Sequence, residues 1–193
     1  MPAAMTELEA VNLMLSVVGE APVSDLEDAT IAEVALAVRI LEETSYEVQA
    51  KGWDFNTEYN YPLSPDVDGY INVPSDTARI DVDPIYGETS LDVVQRGERL
   101  YDRTNRTYIF TISEIRCEMV LLLDFDDLPE AARRYITVRA ARKFQDRILG
   151  SDSVHAYNLQ DEEDAKALFL QAESSNGDHS IFDHWSVGQT LDR

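Results

Sequence analysis

With one cysteine, three histidines and eight glycines among 193 residues, several chemistries have nothing to work with. Cys117 stands alone, so no disulfide can form within the chain, and the thiol reads as a small buried hydrophobe. The glycines do not cluster, and neither Gly-x-Gly-x-x-Gly nor a P-loop is present, which argues against nucleotide chemistry and any nucleotide cofactor. His155, His179 and His184 form no His-Glu-x-x-His and have no cysteine pair beside them, so no metal site is expected. The longest uninterrupted apolar run, Met119 to Leu123, is far short of the roughly 20 residues a membrane helix needs. Met-Pro-Ala-Ala-Met-Thr-Glu lacks a basic region followed by an apolar one, so no secretory signal is expected and the chain should be made in, and kept in, a reducing cytoplasm until assembly. Cations are scarce as well. The 16 Lys and Arg against 37 Asp and Glu leave a formal charge of −21, the wrong sign for gripping phosphates.

What is present is a folded protein's share of apolar residues, 44%, and an uneven charge map. Residues 129–150 carry six basic and two acidic groups, whereas every flanking segment is strongly acidic. Within that basic stretch Arg139, Lys143 and Arg147 follow an i, i+4, i+8 ladder beside an apolar Tyr135-Val138-Phe144 stripe, while Arg134 and Arg142 point elsewhere. Two pairings are open for the ladder: Asp161, Glu162, Glu163 and Asp164 of the following helix, or an acidic face across a subunit boundary. Either way such pairs set register more than stability.

The element order predicts an α+β protein. Thr6 and Glu9 form a capping-box pattern before Leu8, Val11, Met14, Leu15 and Val18, and Gly19 with Pro22 stops that helix. Thr30 and Glu33 open a second helix through Ile31, Val34, Ala35, Val38, Leu41 and Val48 to Lys51-Gly52, with Glu42, Glu43 and Glu47 on its solvated side. From Trp53 to Phe125, prolines and glycines punctuate short stretches rich in Tyr, Val, Ile and Thr. Strands are expected at Tyr70–Val73, Leu91–Val94, Arg99–Tyr101 and Thr107–Phe110. A third helix follows Pro129 to Gly150, and a fourth spans about 153–175 with Val154, Tyr157, Ala165, Leu168 and Ala172 on one side. The expected organisation is thus an antiparallel bundle of four helices from residues 1–52 and 129–176, a β-rich hairpin insertion at 53–128, and an extended tail at 177–193. That tail carries Ile181, Phe182, Trp185, Val187 and Leu191, which either fold back on the chain or anchor in a partner.

Candidate chemistry is thin. Asp66-Val67-Asp68-Gly69 begins like a calcium loop, but Thr77 stands where a bidentate Glu would be needed, so a turn is the better reading. Asp81 and Asp83 ahead of Pro84 read the same way. Asp124, Asp126 and Asp127 could in principle serve as the paired carboxylates of a glycan hydrolase. A loop capping the Pro129 helix explains them equally. An acidic regulator mimicking DNA is a third class.

Leu8-Glu9-Ala10-Val11-Asn12, Val18-Gly19-Glu20-Ala21-Pro22-Val23, Gly52-Trp53-Asp54-Phe55-Asn56, Leu100-Tyr101-Asp102-Arg103-Thr104, Arg134-Tyr135-Ile136 and Ala141-Arg142-Lys143-Phe144-Gln145 together resemble the tail tubular protein A family of short-tailed, podovirus-type bacteriophages. The resemblance runs over nearly the whole chain and rests on the order and spacing of these blocks. It implies a structural protein of the virion tail, made in the bacterial host: a head-to-tail adaptor forming a twelve-fold ring below the portal protein and above the nozzle of tail tubular protein B. Tail fibres would attach around that junction and genomic DNA would pass through the channel. It implies no catalytic residue, cofactor or membrane partner. Within that setting Arg139, Lys143 and Arg147 are the candidate subunit interface, and Phe182 and Trp185 the candidate portal anchors.

Overall fold

The computed structural model describes residues 4–26, 32–87, 90–148 and 152–176, with side chains in the last segment from residue 159 onward. Four helices, α1 (Glu7–Val17), α2 (Ala32–Gln49), α3 (Glu130–Ile148) and α4 (Asp152–Asn176), bracket five strands: β1 (Thr57–Leu63), β2 (Thr77–Val82), β3 (Val93–Arg96), β4 (Arg99–Asp102) and β5 (Ile115–Leu121). The α+β class and the place of the β-rich insertion, between α2 and α3, agree with the sequence.

Helix α1 begins as its capping box dictates. Thr6 Oγ1 accepts from the Glu9 N–H at 3.2 Å, and Glu9 Oε2 accepts from the Thr6 N–H at 2.8 Å, which satisfies two donors that a helix start otherwise leaves open. Its buried face is Ala10, Val11, Met14 and Leu15. Helix α2 buries Val34, Ala37, Ile40, Leu41 and Val48, so its stripe is rotated from the expected one and Ala35 is exposed. The expected cap at Thr30 lies outside the described residues. Helix α3 contacts the other three helices. Ala132, Ala140 and Ala141 let neighbours approach closely, and Tyr135, Ile136 and Phe144 fill the spaces, each large side chain contributing about 1.5–3 kcal/mol by leaving water. On α4 the inward residues are Ala165 and Phe169, with Glu162 and Glu173. Leu168, expected inward, is 57% exposed.

The sheet differs more from expectation. Its order is β1-β5-β2, antiparallel throughout. Central β5 sends Ile115, Cys117 and Met119 into one core at alternate positions, the period of a half-buried strand. Burial pushes the Cys117 thiol up to about 12, with Asp81 and Asp83 adding to the effect. Pro62 is tolerated because β1 is an edge strand. Strands β3 and β4 form a separate hairpin closed through Gly97 at φ +64°. Tyr70–Val73 and Thr107–Phe110 are not strands: each makes one isolated bridge, Asn72 to Arg99 and Asp102 to Thr107. Asp66 is the turn expected, accepting from the N–H groups of Asp68 and Tyr70 with Gly69 at φ +84°. Asp83 is also a turn residue, buried among three backbone donors.

Two apolar cores result. One lies among the helices and extends to Trp53, Phe55, Leu123 and Phe125; the other lies under the sheet and hairpin. Between them sits a polar joint made by Gln49 and Asn56, both buried. Asn56 Nδ2 donates to the carbonyls of Gln49 (3.0 Å) and Leu121 (2.7 Å), and its Oδ1 accepts from the Trp53 N–H at 2.9 Å. Gly52, at φ +77°, allows the turn out of α2, and a Cβ there would meet Val120 Cγ2 at 3.0 Å.

Candidate interaction surfaces

The cationic ladder of α3 is occupied within the chain. Arg139 reaches Glu47 (3.3 Å) and Glu162 (3.1 Å), Lys143 reaches Glu47 (2.7 Å), and Arg147 reaches Glu43 (3.5 Å). As the α3 numbers rise from 143 to 147 the α2 partners fall from 47 to 43, so these two helices run antiparallel with their i, i+4 rows in register. Glu43 and Glu47, read from sequence as solvated surface, are therefore the ladder's main partners. Of the four α4 acids expected as partners only Glu162 takes part; Asp161, Glu163 and Asp164 are exposed. Glu162 also receives Arg142, which in turn holds Asp146 at 3.2 Å. The Lys143 ammonium, as hydrogen-bond donor, holds the Glu47 carboxyl below its usual range against some burial, with Arg139 assisting. The seam is most buried at Glu162, whose side chain is 9% exposed, and opens outward to Arg147 at 51%.

The three aspartates ahead of Pro129 do something other than cap α3. Asp126 Oδ1 accepts from the Glu7 N–H at 3.1 Å, in the first turn of α1, where a carboxylate also suits the helix dipole. Glu130 of α3 accepts from the Met5 N–H at 2.9 Å. The two helix starts are thus tied together, and Arg133 adds bonds to the carbonyls of Leu128 (2.7 Å) and Met5 (2.8 Å). Glu7, Glu42, Asp124, Asp126 and Asp127 line a cleft together with Tyr46 and Phe125. Burial raises the Glu7 carboxyl above its usual range, with Asp126, Glu42 and Asp124 pushing the same way.

A third surface was not legible as such in the sequence. On the β3–β4 hairpin the Arg96 guanidinium lies over the Tyr101 ring at 3.7 Å and Arg99 over Tyr70 at 4.1 Å, and Tyr101 meets Tyr108 edge-on at 4.8 Å. The only signal was the recurrence of Arg at 96, 99, 103 and 106 in an acid-rich region. A groove of mixed character among α1, α3 and α4 sets Leu13, Val17, Val138 and Leu168 beside Arg134, Arg142, Asp161 and Asp164. Phe182 and Trp185 lie outside the described residues. Among the described residues no group of three or more His, Cys, Asp or Glu is arranged to hold a metal ion, and no helix is long and apolar enough to cross a membrane.

Comparison with known proteins gives the surfaces a context. A family model described as tail tubular protein matches residues 8–179, covering both bundle and insertion. Tail tubular protein A of Klebsiella phage KP34 is 31% identical over 173 residues, 89% of each chain.

Proposed function

Because the chain belongs to the tail tubular protein family and is a structural component of a bacteriophage tail, we propose that it is the head-to-tail adaptor, a twelve-fold ring between the portal protein and the nozzle of tail tubular protein B. The observation that carries this reading is the extent of the match, which includes the helical bundle and the β-rich insertion together. In this arrangement the bundle builds the ring, while the insertion faces nozzle and tail fibre. Arg139, Lys143 and Arg147 stand at the subunit boundary, where the half-exposed Arg147 end of the seam reaches a neighbour, and Phe182 and Trp185 anchor the tail segment in the portal.

Charge supports the reading. Twelve copies at −21 bring about −250 formal charges into one ring, and acidic channel walls repel phosphate, so that DNA slides without adhering. Electron microscopy of the purified protein mixed with portal is the direct test. A ring stacked coaxially on the portal is expected. Absence of any complex under conditions where portal itself is intact overturns the proposal.

A further inference from the structure

The hairpin surface has more cationic capacity than its own chain uses. Residues 93–108 hold Arg96, Arg99, Arg103 and Arg106 against Glu98 and Asp102. Asp102 does little to neutralise them, being buried and engaged by the backbone N–H and side-chain amide of Asn105 at 3.0 and 2.7 Å. Arg103 pairs with Asp92 at 3.5 Å. Arg96 and Arg99 instead sit over tyrosine rings, a contact that engages a guanidinium without neutralising it, and the carboxylate of the same chain that Arg99 acts on is Asp66. Arg106 is exposed at φ +56°, a left-handed conformation that a non-glycine residue seldom adopts. Two cations held over aromatic rings and an exposed third thus share one hairpin of a strongly acidic chain.

The same chain carries a surface of opposite character. The cleft at Glu7, Glu42, Asp124, Asp126 and Asp127 is also lined by Tyr46, 53% exposed, and Phe125, and no Lys or Arg lines it. The nearby cation, Arg133, is 3.9 Å from Asp126 and already committed to two carbonyls. Hairpin and cleft belong to different cores: Val93 and Leu100 anchor the first under the sheet, while Leu41 and Phe125 tie the second to the bundle.

We propose that the Arg96–Arg99–Arg106 face of the hairpin docks into the acidic cleft of a second copy of this chain. Two unlike patches make a heterologous, head-to-tail contact, which propagates around a ring when the rotation closes. Both patches combine charge with tyrosine, and Arg and Tyr are residues enriched where protein surfaces meet. The inference rests on the adaptor reading only for closure of the ring, and it assigns the β3–β4 hairpin to the contact between copies while leaving the rest of the insertion to nozzle and fibre.

Sedimentation equilibrium of the full chain at low and high salt tests it, using two charge-reversed variants. One is R96E/R99E/R106E; the other is E42K/D124K/D127K, which leaves the helix-capping Asp126 in place. Wild type is expected to self-associate at low salt and to dissociate as salt rises. Each variant alone should associate at least tenfold more weakly, and an equimolar mixture of the two should recover association, because each hairpin then meets a cleft of opposite sign. A wild type that stays monomeric at low salt, variants that associate like wild type, or a mixture that fails to recover overturns the contact. If the triple hairpin variant loses its circular dichroism spectrum, R106E, which removes a cation stacked on neither ring, gives the same reading alone. Rings seen on portal with both variants would remove this contact and leave the adaptor reading standing.

Discussion

Gln49 and Leu123 exchange two hydrogen bonds: the side-chain Oε1 accepts from the Leu123 N–H at 2.8 Å, and Nε2 donates to the Leu123 carbonyl at 3.0 Å. A side chain at the end of α2 thereby pairs with the backbone leaving β5 as a neighbouring strand would. Gln49→Ala leaves both groups of Leu123 without their partner, and the expected loss is about 2–3 kcal/mol. Urea unfolding followed by tryptophan fluorescence measures it, since Trp53 donates from Nε1 to the nearby Val48 carbonyl. A loss below half a kcal/mol would show that the joint is dispensable.

The charged seam makes a graded prediction. Glu162 is almost buried and serves both Arg139 and Arg142, so Glu162→Ala leaves them only their more exposed partners Glu47 and Asp146 and should cost about 2–3 kcal/mol. Glu47 is about half exposed, and Glu47→Ala should cost no more than about 1 kcal/mol. Thermal melts of the two variants give the ranking, and equal losses contradict it.

Acid should loosen the insertion through Asp83. Burial alone would raise this carboxyl, but the N–H groups of Tyr86, Ile85 and Asn60 outweigh it and hold it below the usual 3.8. A carboxyl depressed in the folded state contributes stability above its unfolded value, and that stability disappears as pH falls through 3.8 and below. Asp83→Asn should therefore lower stability at neutral pH and flatten the decline toward pH 2. Unfolding free energies across that range decide the matter; a variant with an unchanged acid limb rules Asp83 out as its source.

For the subunit boundary the discriminating variant is a swap. Arg147→Glu with Glu43→Arg keeps that pair within the chain, at the expense of the exposed Arg39–Glu43 pair, while inverting the sign presented at the open end of the seam. Ring assembly on portal should weaken, and the monomer should lose no more than about 1 kcal/mol. Unimpaired rings remove Arg147 from the boundary.

The segment after residue 177 is tested by truncation. A chain ending at Gly177 should fold as before and lose portal binding, and Phe182→Ala with Trp185→Ala should reproduce most of that loss. Full binding by the truncated chain ends the assignment of these anchors.

Much of the helical part was legible because its signals are local. The Thr6–Glu9 box and the Gly52 stop sit within one turn of what they control. The ladder's partners were not, because Glu43 and Glu47 lie nearly one hundred positions away and only antiparallel packing of α2 on α3 brings them alongside. Helix α4 was misread at Leu168 because its inward face is partly polar: Glu162 and Glu173 take positions that a hydrophobic stripe would fill, and Phe169 is the residue that packs on Tyr135 and Trp53. Strand β1 was hidden by Pro62, which breaks a central strand but not an edge, and β5 by its apolar continuation into Leu122 and Leu123. The hairpin's aromatic and cationic face was invisible for the opposite reason. Tyr70 and Arg99 are far apart in sequence, and neither stands in a recognisable pattern.

The insertion leaves and re-enters the bundle at one place. Thr57 pairs with Val120 in the sheet, Asn56 holds Leu121, and Gln49 holds Leu123. A segment whose two ends are neighbours can be exchanged as a unit, like a fitting on a standard thread. Evolution of the β-rich region toward new contacts then need not disturb the helices, and a shortened link across the same joint should leave a bundle that still folds.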